Sequence, residues 1–205
     1  MDSTIEFYDE NAARMAARYE QIEFGAYVDR FLTLVSAGSR VLEIGSGSGR
    51  DAARLLAAGM DVTILDASRA MLEQAVETHP ELAGHELMVK LPGRIPVEAA
   101  EFDAVLSRAT LMHVGLESLS HVFDEIARTV KLDGIFAYSV NTARSGLDVN
   151  GNDAEGRHFT CLDVRGWDAL HRDAGFTTID AVESEDVTGR EGIRWVSFFT
   201  RKSGP

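Results

Sequence analysis

The chain has one cysteine, few positive charges and no long apolar run, and each shortage removes a class of protein. Cys161 stands alone, which excludes an internal disulfide and leaves no second thiolate for a metal site; a reducing cytoplasmic setting is expected, and a bound metal is not. Against 33 Asp and Glu there are only 20 Lys and Arg, a formal charge of −13, and no basic cluster occurs. A nucleic acid or an anionic membrane would be repelled over most of such a surface, so neither is an expected partner. No window approaches the ~20 apolar residues that span a bilayer, and residues 1–7 carry no basic targeting segment. Internal repeats and low-complexity tracts are missing too. What is there is 45% hydrophobic residues in 205, enough for one well-buried core and too few residues for two ordinary domains.

Periodicity supplies the elements. Apolar residues at helical spacing predict amphipathic helices over 3–20 and 25–35. From Arg40 onward short apolar runs alternate with helical patterns: strands 40–44, 61–65, 86–89, 102–107 and 134–140, with helices 50–58, 68–78 and 117–130 between them. That βαβ rhythm implies a parallel sheet. Helix 163–174 and strands 176–182 and 194–201 follow, and the last strand lies a hairpin's length from its predecessor, so it should run antiparallel. Residues 141–159 form a long polar loop at the carboxyl edge of the sheet, where open α/β sheets bind their ligands.

The most informative stretch is 40–50, where Val41, Leu42 and Ile44 lead into Gly45, Gly47 and Gly49. It reads as a buried strand, a tight turn and the start of a helix whose free N–H groups face a polar or anionic ligand group. Glu43 lies two residues before the first glycine, and Asp66 closes the next apolar run about twenty residues on, where a ribose hydroxyl pair would sit. A dinucleotide fingerprint would place a glycine at the sixth position from Gly45; Arg50 occupies it. A nucleoside is therefore the expected ligand.

Val-Leu-Glu-Ile-Gly-Ser-Gly-Ser-Gly at 41–49, with Ile-Leu-Asp-Ala-Ser at 64–68, resembles the class I S-adenosylmethionine-dependent methyltransferases. The resemblance continues through Phe102-Asp103-Ala104-Val105, Leu111-Met112-His113-Val114 and Val130-Lys131-Leu132-Asp133-Gly134, and so covers about 40–140. It implies one Rossmann-like, doubly wound α/β domain over 1–205, with a mostly parallel seven-stranded sheet and an antiparallel final strand. In that layout residues 1–36 cover the cofactor site, 40–140 form the cofactor-binding core, and 141–205 carry the acceptor loop and the C-terminal strands. The implied cofactor is S-adenosylmethionine, held by Tyr19, Glu43, Gly45, Ser46, Gly47, Gly49, Arg50, Asp66, Ala67, Met71 and Arg108. The acid that often ends the family's third strand is missing from 89–96, so the backbone of Lys90 and Leu91 is expected to serve the adenine instead.

Transfer from a sulfonium asks mainly for alignment and exclusion of water, with a base helping if the acceptor has a proton to lose. His113 is the best-placed histidine for that base; its other reading is a residue that fixes its own loop. Asn141, Arg144, Arg157 and Phe159, with Trp195 of the last strand, are the expected contacts of a small-molecule acceptor. Arg157 and Phe159 either pin a substrate carboxylate against an aromatic wall or anchor the loop. Two alternatives stay open, a nicotinamide-dependent oxidoreductase on the same fold and a non-catalytic cofactor-binding module. Arg50 and the lack of a Tyr-x-x-x-Lys pair count against the first. Monomer and homodimer both fit.

Overall fold

The computed structural model describes residues 2–22 and 25–204. Their elements run α1 (Asp2–Glu20), α2 (Gly25–Leu32), β1 (Arg40–Ile44), α3 (Arg50–Ala57), β2 (Asp61–Asp66), α4 (Arg69–Thr78), β3 (Glu86–Met88), β4 (Phe102–Arg108), α5 (Leu116–Thr129), β5 (Val130–Arg144), α6 (Val164–Asp173), β6 (Phe176–Glu185) and β7 (Ile193–Lys202). The seven described strands lie in the order β3-β2-β1-β4-β5-β7-β6, and β7 alone runs against the others, between β5 and β6. The expected fold class is the one observed. No described helix is long and apolar enough to cross a membrane.

Both faces of the sheet are covered, which is why its strands read as near-continuous apolar runs. One face packs Tyr138, Phe136 and Phe198 in a stack against Phe123 of α5 and Trp167 of α6. Trp167 is fully buried, and its indole N–H donates to the Asn141 carbonyl at 3.1 Å. The other face packs Val41, Val62 and Ile64 against Val28 and Phe31 of α2, Leu55 of α3 and Leu72 of α4. A smaller cluster of Phe7, Met15 and Ala16 with Met71 holds α1 against α4. Within α1 the backbone departs from helix at Asn11, whose side-chain amide donates to the Phe7 carbonyl at 2.8 Å.

Several boundaries differ from the pattern. The segment 130–134, expected to close a helix and turn, belongs to β5: the pairing with β4 slips between Phe102 and Ala104, and Asp133 takes φ +63. At its other end β5 continues to Arg144, because β7 supplies antiparallel partners as far as Ile193 across a bulge between Asn141 and Ala143. Asn141 and Arg144, expected in the loop, are thus strand residues. α2 stops at Leu32, short of the expected residue 35, and Ser68 caps α4, accepting the Met71 N–H at 3.1 Å.

Candidate active site

The glycine turn sits where β1 ends. The Leu65 carbonyl accepts the N–H of Gly45 at 2.6 Å and of Ser46 at 3.2 Å, fastening the turn to β2. Gly45 has φ +72, and a Cβ there would lie 2.0 Å from Thr110 Oγ1; Gly49, at φ +80, begins α3 with Leu82 2.5 Å from where its Cβ would be. Gly45→Ala should therefore cost about 1–3 kcal/mol of stability for the left-handed backbone, plus the displacement of Thr110. Gly38, at φ +82 with nothing within 4 Å, is the control that carries strain without a clash. Urea midpoints that fall equally for both alanine variants would remove Thr110 from the argument.

Asp66, at the end of β2, accepts the N–H of Gly47 at 3.1 Å and of Ser68 at 3.0 Å. Burial raises its carboxyl above the ordinary value, and those N–H donors hold the rise back. The opposite wall carries buried charge. Burial pushes the Glu43 carboxyl well up, Asp51 adds to it, and Arg108 and Arg50 oppose it. Glu43 Oε2 is buried without a hydrogen-bond partner among the described residues. Arg108 pairs with Asp51 at 3.0 Å and lies 4.7 Å over the Tyr27 ring.

α1 crosses this space and is tied down along its length. Arg50 Nη1 donates to the Tyr19 carbonyl at 2.5 Å and the Ile22 carbonyl at 2.8 Å; Asp9 accepts from Ser68 Oγ at 2.5 Å and from the Ala70 N–H at 3.2 Å. At its start, Ser3 Oγ donates to the Gly156 carbonyl at 2.8 Å and Thr4 Oγ1 accepts the His158 N–H at 2.8 Å. The result is a cavity of about 640 Å³, within the range of small-molecule sites. Tyr19, Glu43, Gly45, Ser46, Gly47, Arg50, Asp66, Ala67, Met71 and Leu91 all border it, as do Arg108, His113, Arg144, Arg157 and Phe159.

Four expected residues stand elsewhere or play another part. Gly49 is not among the lining residues, because the space beside its Cα is filled by Leu82 and Ala75. Lys90 is exposed and does not border the cavity; its carbonyl accepts the Gly93 N–H at 2.8 Å, and Val89 borders the cavity instead. Asn141 is fully buried in the sheet and lies outside the lining, because β5 runs on past it. His113 donates its Nδ1–H to the His158 carbonyl at 2.6 Å, and its Nε2 lies 3.4 Å from the Tyr8 hydroxyl, which in turn lies 3.3 Å from that of Tyr19. Burial lowers His113 to about 4, with the His158 carbonyl opposing and Arg157 and Arg144 adding to the fall. A general base works best with a pKa near the working pH, so this geometry favours the loop-fixing reading.

Sequence periodicity missed Tyr8 and Asp9, which read as ordinary inward and outward residues of an amphipathic helix. It also missed Asp186, read as part of a hairpin. Its carboxylate binds Arg190 twice, at 2.7 and 3.1 Å, and accepts the Trp195 indole N–H at 3.1 Å; those bonds hold it far below the usual carboxylate range despite burial. At the same end, Asp153 Oδ2 takes both Arg157 at 2.5 Å and Arg144 at 3.2 Å. No group of three His, Cys, Asp or Glu among the described residues is placed to hold a metal ion.

Residues 42–138 match the family described as "Methyltransferase domain". The chain is 29% identical over 179 residues to the malonyl-[acyl-carrier protein] O-methyltransferase of Salmonella typhimurium, covering 80% of this chain and 69% of that protein. Among solved structures it is similar to the 1,6-didemethyltoxoflavin-N1-methyltransferase of Burkholderia thailandensis, bound to 1,6-didemethyltoxoflavin and S-adenosylhomocysteine, at TM-score 0.80 and 19% identity over 99% of this chain and 88% of that one. A SAM-dependent methyltransferase of Methanosarcina mazei gives TM-score 0.71 and 17% identity over 86% of this chain and 98% of that one. At such identities the solved structures speak for the fold.

Proposed function

With residues 42–138 matching the methyltransferase-domain family, the chain is identified as an S-adenosylmethionine-dependent methyltransferase, and we propose that it methylates a small-molecule acceptor, enclosed between α1, the 145–163 segment and the ends of β5 and β7. When bound, S-adenosylmethionine supplies a methyl carbon activated by its sulfonium. The residues present fit that cofactor: Asp66 and the Gly47 N–H lie side by side for a ribose, and the unpartnered Glu43 Oε2 offers an acceptor to an ammonium. Val89, Leu91 and Met71 supply apolar walls for a base. Arg50, by holding the carbonyls of Tyr19 and Ile22 at and just past the end of α1, keeps Tyr19 over the glycine turn, where its ring lies 3.5 Å from the position of a Gly47 Cβ.

One observation carries the small-molecule reading: the bonds from Ser3 and Thr4 to residues 156 and 158 close α1 onto the far segment and roof the acceptor end. A roof of that kind helps exclude water from the transfer and suits a small acceptor better than a polymer. Within it His113 keeps Tyr8 in place, while Phe159 and Trp195 offer aromatic walls. The similar proteins act on a carrier-bound acid and on a heterocycle by their names, and this chain is proposed to take a free small molecule.

Two measurements test this. S-adenosylhomocysteine is expected to raise the melting temperature, since a ligand bound only by the folded state stabilises it by mass action, and NAD and NADP are not. Methyl-labelled cofactor incubated with protein and a cell extract should put label into the fraction that passes a small-pore filter. Label retained on protein or RNA would defeat the small-molecule reading, and a shift with NAD alone would return the chain to the oxidoreductases.

A further inference from the structure

The acceptor end of the cavity is rich in arginine in a chain that is acidic overall. Among the described residues the whole cavity is lined by seven arginines and six carboxylates, against 20 basic and 33 acidic residues in the sequence. Arg144, Arg157 and Arg190 gather at the acceptor end, and their carboxylates are already committed. Asp186 is bound by Arg190, Trp195 and Thr188. Asp153 serves Arg157 and Arg144 through one oxygen while its other oxygen accepts the N–H groups of Glu155 and Arg157. Glu155, half exposed at the rim, pairs with Arg157 and Arg14.

Arg144 is the cation left short. Its side chain is only 9% exposed, its guanidinium lies 3.7 Å over the Phe159 ring, and its Nε is buried with no hydrogen-bond partner among the described residues. Burial and the neighbouring charges of Arg157 and Arg190 push its pKa below the ordinary arginine value, which Asp153 only partly offsets. A buried cation without a full counter-charge is costly unless an anion joins it.

We propose that the methyl acceptor is an organic acid whose carboxylate is held by the Arg144 guanidinium, with its carbon frame against Phe159 and Trp195. The guanidinium fork matches the planar carboxylate, and Phe159 fixes the plane of the fork. One short-changed cation calls for one negative charge, which favours a carboxylate over a doubly charged phosphate. This rests on the small-molecule reading above and names the chemical class it takes.

The test uses the whole protein saturated with S-adenosylhomocysteine and three probes, benzoate, benzamide and phenyl phosphate, titrated by ligand-observed NMR. Benzoate should bind at least tenfold more tightly than either of the others, and Arg144→Met should remove that preference while leaving the affinity for S-adenosylhomocysteine unchanged. Should Arg144→Met fail to fold, the wild-type comparison of benzoate with benzamide still decides. Equal binding of those two overturns the proposal, as does a benzoate preference that survives in Arg144→Met. A preference for phenyl phosphate overturns the carboxylate. These outcomes leave the small-molecule reading standing, whereas label found on macromolecules in the extract experiment removes both.

Discussion

Between pH 6.5 and 4 two buried histidines are expected to withdraw several kcal/mol of stability from the folded protein. His113 and His171 are both lowered from 6.5 to about 4 in the folded chain, chiefly by burial. The unfolded chain takes up protons first as pH falls, so stability is complete above the unfolded value of 6.5 and is lost on the way down to about 4. Each histidine contributes roughly 3 kcal/mol at about 1.4 kcal/mol per pH unit. Glu43 and Asp66 work in the opposite sense, since their folded values are raised, so the wild-type slope does not isolate the histidines. His171→Gln does. His171 is fully buried between the Tyr138 hydroxyl and Thr178 Oγ1, each at 2.8 Å, and glutamine offers a donor and an acceptor there without titrating. Urea midpoints measured across the window should fall less steeply in the variant by up to about one proton. Parallel curves for the two proteins would refute the assignment.

Asp66→Ala should weaken S-adenosylhomocysteine binding by roughly 1.5–3 kcal/mol, about 10- to 150-fold, the worth of hydrogen bonds to a charged group. Two losses combine. The carboxylate proposed to accept from the ribose hydroxyls is removed, and the Gly47 N–H that it positions at 3.1 Å is released. Asp66→Asn keeps an acceptor for that N–H and should lie between wild type and alanine. Calorimetry on folded protein provides the check, and a wild-type dissociation constant in Asp66→Ala would take this residue out of the site.

The parts of the molecule that were legible in the sequence are those whose cause is local. Gly45, Gly47 and Gly49 declare a turn because alanine there would strike Thr110 or Leu82 or meet a left-handed backbone, and Asp66 falls at a fixed distance beyond them. Ser68 announces its own helix. What stayed hidden depends on partners far apart in the chain. Thr4 meets His158 across 154 positions, and nothing in a helical stripe separates Tyr8, which reaches His113, from a tyrosine that merely fills the core. Arg157 looked like an acceptor contact because it is polar and in a loop; the structure gives Asp153 to it first, and Arg144, two residues past a bulge that no pattern marks, is left with the weaker share. Of the two residues expected at the adenine, Leu91 borders the cavity and Lys90 does not: Lys90 lies past the end of β3, and its carbonyl is taken by the Gly93 N–H in a turn that no periodicity marks.

The place of β7 has a consequence for synthesis. As the chain leaves the ribosome, β2 finds β1, β3 finds β2, β4 finds β1 and β5 finds β4, each new strand meeting a neighbour already made. β6 does not: among the described strands its one neighbour is β7, which is translated after it. Until Ile193–Lys202 emerges and threads between them, residues 135–144 of β5 and the whole of β6 present unpaired N–H and C=O groups, the kind of edge that recruits other chains. β7, made after both of its neighbours, is thus the strand that closes the sheet, and a stalled chain lacking it would expose two unpaired edges at once.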